Sequence, residues 1–358
     1  MPNGYHPYAW TLWLFASAIA VLVTRNPLYL VILLLVTGFL HAVLLRRFER
    51  EHHGGGRSLV LAWRTIVYLA LFMWGFSILF NALTVHVGAH PLFSLPASWP
   101  IIGGPITMES IVYGFVTGLG FVNLILIFAI YNSVLGPQII LRMIPGFAYQ
   151  TGVAVSIAIS FVPQTLIAWE EIREAQRLRG HNVKGVRDLL PLFVSLLSYG
   201  LDRAIQLAES MESRGFGGRL LQSSARETWL IRISAIAGLL LLLLGFVVRS
   251  YDASAFWTGL ALLTAGLLLL TISLWRGGRS VKRSRYRHWL WRPRDIFLSA
   301  GSGLLLASVL LLTWISPHAL FYYPYPPYDF TPDFNLFLGL IYTLPILPAL
   351  LLPPPAKH

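Results

Sequence analysis

The feature that most limits this chain is the length and spacing of its uncharged apolar runs. They lie at Tyr8–Val23, Asn26–Leu45, Ile66–Val85, Ser110–Tyr131, Ile233–Val248, Ala253–Trp275, Ile296–Ile315 and Phe334–Leu352. A helix needs about 20 apolar residues to cross the hydrocarbon core of a bilayer, and most of these runs come close. Backbone polar groups in lipid must pair within their own segment, so the runs read as helices. Pro345 and Pro348 interrupt the last run, which reads as kinked, re-entrant or interfacial. Composition agrees: 12% of residues are charged, against about 25% in an ordinary soluble domain. The expected fold is an all-α integral membrane protein, a polytopic helical bundle. The first run lacks a basic flank and a cleavage signature, so it reads as a span and not a signal peptide. There is no cysteine, which excludes disulfides and thiolate chemistry.

A net charge of +12 could point to nucleic acid, but its placement favours a membrane reading. Five basic residues lie at Arg46–Arg64, eleven at Arg142–Arg232 and eight at Arg276–Arg294; the rest are Lys357, Arg25 and Arg249. With a cytoplasmic amino terminus, all but Arg25 and Arg249 fall on the cytoplasmic side, as positive-inside topology requires. The segments His86–Pro105 and Ser316–Asp333 contain no Lys or Arg and suit the outside. The Arg276–Arg294 run then reads as an orientation signal at an anionic lipid surface. No base-stacking module accompanies it. The expected location is the inner (plasma) membrane of the cell, multi-pass.

Three parts follow along the chain: transmembrane helices in 1–131, a different, cytoplasmic segment in 132–225 and further transmembrane helices in 226–358. In the middle part, Phe147–Val162 is apolar but only 16 residues long. It reads as a helix lying along, or dipping into, the cytoplasmic surface. After Pro163 the pattern predicts a polar helix with Ala168, Ile172, Ala175 and Arg179 on one face, ending at Gly180. A second helix begins near Asp188, tolerates Pro191 in its first turn, carries the stripe Ala204, Ala208, Met211, and ends at Gly215. Both ends read Glu-x-x-x-x-Arg-Gly, with Arg214 lying 35 residues after Arg179.

A single Arg-Gly at a helix end is explained by capping: the arginine complements the helix dipole and glycine takes the left-handed position. Two copies, each on a cytoplasmic helix with small residues on its face, point further. Small residues let two helices cross closely, and each guanidinium suits a carboxylate on a partner.

At this point the residues resemble a known family. Phe161-Val162-Pro163 with Glu171, Ala175-Gln176 and Arg179-Gly180, together with Met211-x-x-Arg214-Gly215-Phe216, is similar to the transmembrane T component of energy-coupling-factor (ECF) transporters. Asn26-Pro27-Leu28-Tyr29 and Gly103–Glu109 resemble recurrent family elements. The resemblance covers roughly residues 1–250. It implies two long cytoplasmic coupling helices whose tips, Ala175, Gln176, Arg179, Gly180, Met211, Arg214 and Gly215, dock into two ABC ATPase subunits. A membrane S component would select the cargo, a vitamin or a transition metal such as cobalt, and ATP and Mg would be bound by the partner ATPases. Leu178 and Ser213 stand where alanine is common in the family. The subunit itself is expected to be non-catalytic and to bind no cofactor or metal directly. Its lysines, Lys184, Lys282 and Lys357, fit no phosphate-binding Gly-Lys-Ser/Thr.

Three alternatives fit the sequence less well, the first being a purely structural membrane protein, which would not need paired cationic helix ends. A conventional ABC importer permease faintly matches Glu174-Ala175 with Gly180, but has one such loop, not two. A membrane-embedded lipid-modifying enzyme would need clustered carboxylates or metal-ligand histidines near the bilayer surface. His86 and His90 lie four apart in a Pro/Gly-rich outer loop and read as loop residues lacking carboxylate partners. His52-His53 beside Gly54–Gly56 reads as a flexible linker.

Overall fold

The computed structural model describes residues 5–51, 56–96, 103–144, 146–180, 185, 189–216, 225–251, 256–279, 289–316, 319–326 and 331–351. His52-His53, Lys184, Asp188, Lys282 and Lys357 lie outside the described residues. Twelve α-helices can be followed in chain order among the described residues: α1 Pro7–Val23, α2 Pro27–Glu51, α3 Gly56–Thr84, α4 Met108–Val134, α5 Pro137–Met143, α6 Tyr149–Leu178, α7 Leu189–Ser213, α8 Ala225–Tyr251, α9 Phe256–Arg279, α10 Pro293–Ile315, α11 Leu336–Ile341 and α12 Leu347–Leu350. The fold is an all-α polytopic bundle. A short antiparallel pair, β1 Pro91–Ser94 and β2 Pro105–Thr107, lies between α3 and α4.

Seven helices among the described residues are long and apolar enough to cross a membrane. They are not quite the set expected from the apolar runs. α1 has 17 residues and falls short. The final run is broken into α11, a 3-10 turn at Leu344–Ile346, and α12, because Pro345 and Pro348 donate no backbone hydrogen bond. α6 takes a place instead. The expected break at Pro163 is absent, since one helix runs through it from Tyr149 to Leu178. Proline removes one ladder bond and kinks a helix without always ending it. The apolar and polar halves of α6 are therefore one element of 30 residues, about 45 Å long.

The chain divides into two compact units. The first combines Met1–Pro137 with Trp289–His358. Its core contains Trp10 and Trp13 of α1, Leu30, Leu33 and Leu40 of α2, Ile127 and Ile130 of α4 and Leu298 of α10. α1 and α10 run parallel. The backbone N–H of His6 donates to Asp295 Oδ1 at 2.7 Å beside their starts, and Arg25 N donates to the Leu320 carbonyl at 3.0 Å beyond their ends. Polar bonds fasten the broken carboxyl-terminal segment to α1 and α2. Trp13 Nε1 donates to the Pro345 carbonyl at 3.1 Å, Tyr5 Oη to that of Pro348 at 3.2 Å, and Asn335 N to Tyr29 Oη at 2.9 Å. Thr24 and Tyr342 share a buried hydroxyl contact. These bonds satisfy backbone groups that a broken helix leaves free.

The same unit holds an outer-loop latch. Glu109, buried in the first turn of α4, accepts from Ala89 N at 2.9 Å, His90 N at 3.1 Å and His90 Nδ1 at 2.8 Å. A carboxylate there complements the helix dipole. His90 therefore has the carboxylate partner that the sequence reading found missing, because the β1–β2 pairing folds the loop back over α4. No group of three or more His, Cys, Asp or Glu with metal-site geometry occurs among the described residues.

The second unit, Gln138–His288, contains α6 to α9. α8 and α9 form a hairpin through glycines. A Cβ built on Gly266 would lie 2.8 Å from Leu242 N and 2.9 Å from the Gly238 carbonyl, and one on Gly245 would lie 2.9 Å from Leu263 N. Such backbone approach is the way helices associate where lipid supplies no hydrophobic driving force. Ser273 Oγ adds a 2.7 Å bond to the Ile231 carbonyl.

Candidate functional site

The site is built by α6 and α7. Their crossing is marked by Arg203, whose Nη2 donates to Gln164 Oε1 at 3.3 Å. From there α6 runs on 15 residues to Arg179 and α7 runs on 11 to Arg214. At about 1.5 Å per residue these arms are roughly 22 and 16 Å long. They diverge. The α7 arm passes beside the amino-terminal half of α6, where Ala204, Leu207, Ala208 and Met211 face Ala154, Ile157, Phe161 and Thr165 across an open apolar groove of about 690 Å³. The α6 tip lies on the other side of the crossing. The two arginines thus belong to two separate tips.

Each tip is made by local backbone chemistry. Gly215 has φ +76°, its N–H donates to the Glu212 carbonyl at 2.8 Å, and Phe216 N donates to the Met211 carbonyl at 2.9 Å. This is a complete Schellman cap, and its left-handed residue favours glycine. Gly180 shares the left-handed conformation, φ +82°, and the first of these bonds, 2.9 Å from its N–H to the Arg177 carbonyl. The glycines therefore hold the caps through the backbone. The arginine side chains are left over: both are exposed, and no hydrogen bond or ion pair to either occurs among the described residues.

The remaining expected residues divide. Ala168 is buried, Ile172 and Gln176 are half-buried, and Ala175 is exposed. Met211, Ala204 and Ala208 line the groove. Leu178, one of the two departures from the family pattern, is 85% exposed beside Arg179. Phe216 is likewise exposed beside Arg214 and Gly215. Each tip therefore pairs one guanidinium with one bare apolar side chain. Sequence reasoning missed the groove-forming residues Ala154 and Ile157 of α6, and met Phe161 only within the family resemblance. Their signal was a small and apolar face at helical spacing, concealed by dividing α6 at Pro163.

No family model matches the chain. Curated relatives do. The chain is 29% identical over 107 residues to the energy-coupling factor transporter transmembrane protein EcfT of Streptococcus equi subsp. equi, covering 26% of this chain and 40% of that one. To the EcfT of Exiguobacterium sibiricum it is 32% identical, over 27% and 41%. To that of Lactococcus lactis subsp. cremoris it is 27% identical, over 47% and 69%. The chain resembles the T components of energy-coupling-factor transporters. It spans about two fifths of the length of the first two of these relatives. Like the T components it resembles, it is a membrane protein of many apolar helices.

Proposed function

We propose that this chain is the T component of an ECF-type importer in the plasma membrane, transmitting the motion of two ABC ATPases to a substrate-binding S component for uptake of a vitamin or transition-metal ion. The observation that carries this reading is the repeated tip, in which glycine and backbone complete the cap while an exposed arginine and an exposed apolar residue project beyond it. Arginine is among the residues enriched at binding hot spots, where its planar fork pairs with a carboxylate. Two such tips on diverging arms suit two copies of one partner. A rigid α6 of about 45 Å is suited to carry a displacement from one end to the other. ATP and Mg belong to the ATPases in this reading, and the amino terminus is cytoplasmic.

The test is co-expression with ABC ATPases and a small membrane subunit encoded beside it. The expected product is a complex with two ATPase subunits that takes up cargo only with ATP, while the subunit alone hydrolyses none. Robust metal-dependent hydrolysis by the pure subunit would refute the assignment. Labelling of an introduced cysteine at Ser213 from outside the cell would overturn the orientation.

A further inference from the structure

Where the chain enters α10, four rings close on one another. His6 stacks on Trp291 with centroids 4.3 Å apart and planes 17° off parallel, and on Tyr8 at 5.4 Å. Trp289 meets both His6 and Tyr8 edge-on, at 5.9 and 6.3 Å. Asp295 pins the two strands of chain together. Its carboxylate is buried, accepting from the backbone N–H of His6 at 2.7 Å and of Arg292 at 2.9 Å. The acid is thus turned inward and spent on backbone donors, while Arg292 is exposed and Arg294 half-exposed. Leu290 is 81% and Trp291 52% exposed. In sequence, Arg276–Arg294 carries eight basic residues and no acid.

We infer that this fixed aromatic and arginine cluster is a binding site for the headgroup of an anionic phospholipid. Trp289 and Trp291 have the amphipathic rings that settle at the boundary between headgroup and acyl chain. Leu290 supplies apolar surface for the acyl side. Arg292 and Arg294 present guanidinium forks to a phosphate. The start of α10 is already capped by Asp295, so the arginines and not the helix terminus receive the anion. A diffuse basic surface attracts anionic lipid through its field alone. Here ring stacking holds the Trp291 indole and the Asp295 bond holds the Arg292 backbone, which fixes where these side chains leave the chain. The site follows from the membrane fold and does not depend on the coupling reading.

The test is titration of the full-length chain with phosphatidylglycerol or phosphatidylcholine in detergent, counting bound lipid by native mass spectrometry. An arginine at a lipid surface is worth about fivefold in affinity. Arg292→Gln and Arg294→Gln should each weaken phosphatidylglycerol binding by about that factor, and the pair by about twenty-fivefold. Arg292→Lys with Arg294→Lys should keep only part of the binding, since lysine keeps the charge but lacks the planar fork. The pair Arg46→Gln, Arg64→Gln, removing two charges elsewhere, should change it less than about twofold. Equal affinity for the two lipids would overturn the site. So would an equal loss in the Arg46, Arg64 pair, which would mark a diffuse field, or displacement of the lipid by glycerol 3-phosphate at equal concentration.

Discussion

The two units of this protein solve the same problem in opposite ways. The unit formed by the chain's two ends buries its large side chains, Trp10, Trp13, Tyr29 and Tyr342 among them, and stitches the broken carboxyl-terminal segment to α1 and α2 with polar bonds. The Gln138–His288 unit buries little: Leu192 is its one large apolar side chain that is fully covered among the described residues, and its contacts run through glycine and serine. Leu178, Leu190, Phe193, Leu197 and Leu201 of α6 and α7 stand exposed. Apolar surface on that scale is covered by lipid or by another protein. Both units expose apolar side chains, Leu22, Phe72 and Leu311 of the first among them, but only the first also encloses a core of large ones among the described residues.

That contrast sets where substitutions should act. Asp295→Ala should have the largest effect on stability. It strands the buried backbone N–H of His6 and the part-buried one of Arg292, which at about 1–3 kcal/mol for an unsatisfied buried group, and less for the part-buried one, gives roughly 2–4 kcal/mol. Thermal unfolding in detergent checks it, and retained capture of the ATPases by the surviving protein would sharpen the contrast. Gly266→Leu should cost about 1–3 kcal/mol by overpacking, since its Cβ falls on the Gly238 and Leu242 backbone. Its signature is selective loosening of α8–α9, read by hydrogen exchange, with α1 to α4 unchanged. Trp13→Phe should cost about 1 kcal/mol for the bond to Pro345, again without effect on partners.

The smallest effect is a pH dependence. Burial lowers the pKa of His6, against a weaker opposing pull from the Asp295 charge. The neutral imidazole is therefore the form the fold prefers. Its contribution is fully present above the ordinary histidine value of about 6.5 and is lost as pH falls through the lower folded value. Unfolding temperature should fall on acidification below pH 6.5, and His6→Gln should flatten that part of the profile. An unchanged slope in His6→Gln would assign the acid sensitivity elsewhere.

Much of the fold was legible in sequence because long apolar runs admit few structures. The two glycine-ended helices could be read as well, since left-handed caps and small-residue faces leave local marks. What could not be read depended on tertiary context. Pro163 is a local helix-breaking signal, yet α6 continues through it. The partnership of Glu109 with His90 spans 19 residues and exists only because the loop folds back. Nothing in Pro345 or Pro348 reveals that their carbonyls receive Trp13 and Tyr5, more than 300 residues away. The diverging arms of α6 and α7 likewise follow from a crossing, marked by Gln164 and Arg203, of residues 39 apart in sequence.

The most direct measurement compares ATPase capture and vesicle uptake by the Arg179→Ala, Arg214→Ala double variant with those of the parent chain at matched expression. The caps are held by Gly180, Gly215 and the backbone, so folding and membrane insertion should be preserved. Each lost arginine should strand a partner carboxylate, at about 2–5 kcal/mol of binding, or roughly thirtyfold or more. Arg→Lys should rescue poorly, lacking the planar fork. The account predicts a normally inserted protein that neither holds the ATPases nor supports uptake. Normal assembly and normal uptake by the double variant would contradict it and leave the arginines as ornaments of two helix caps.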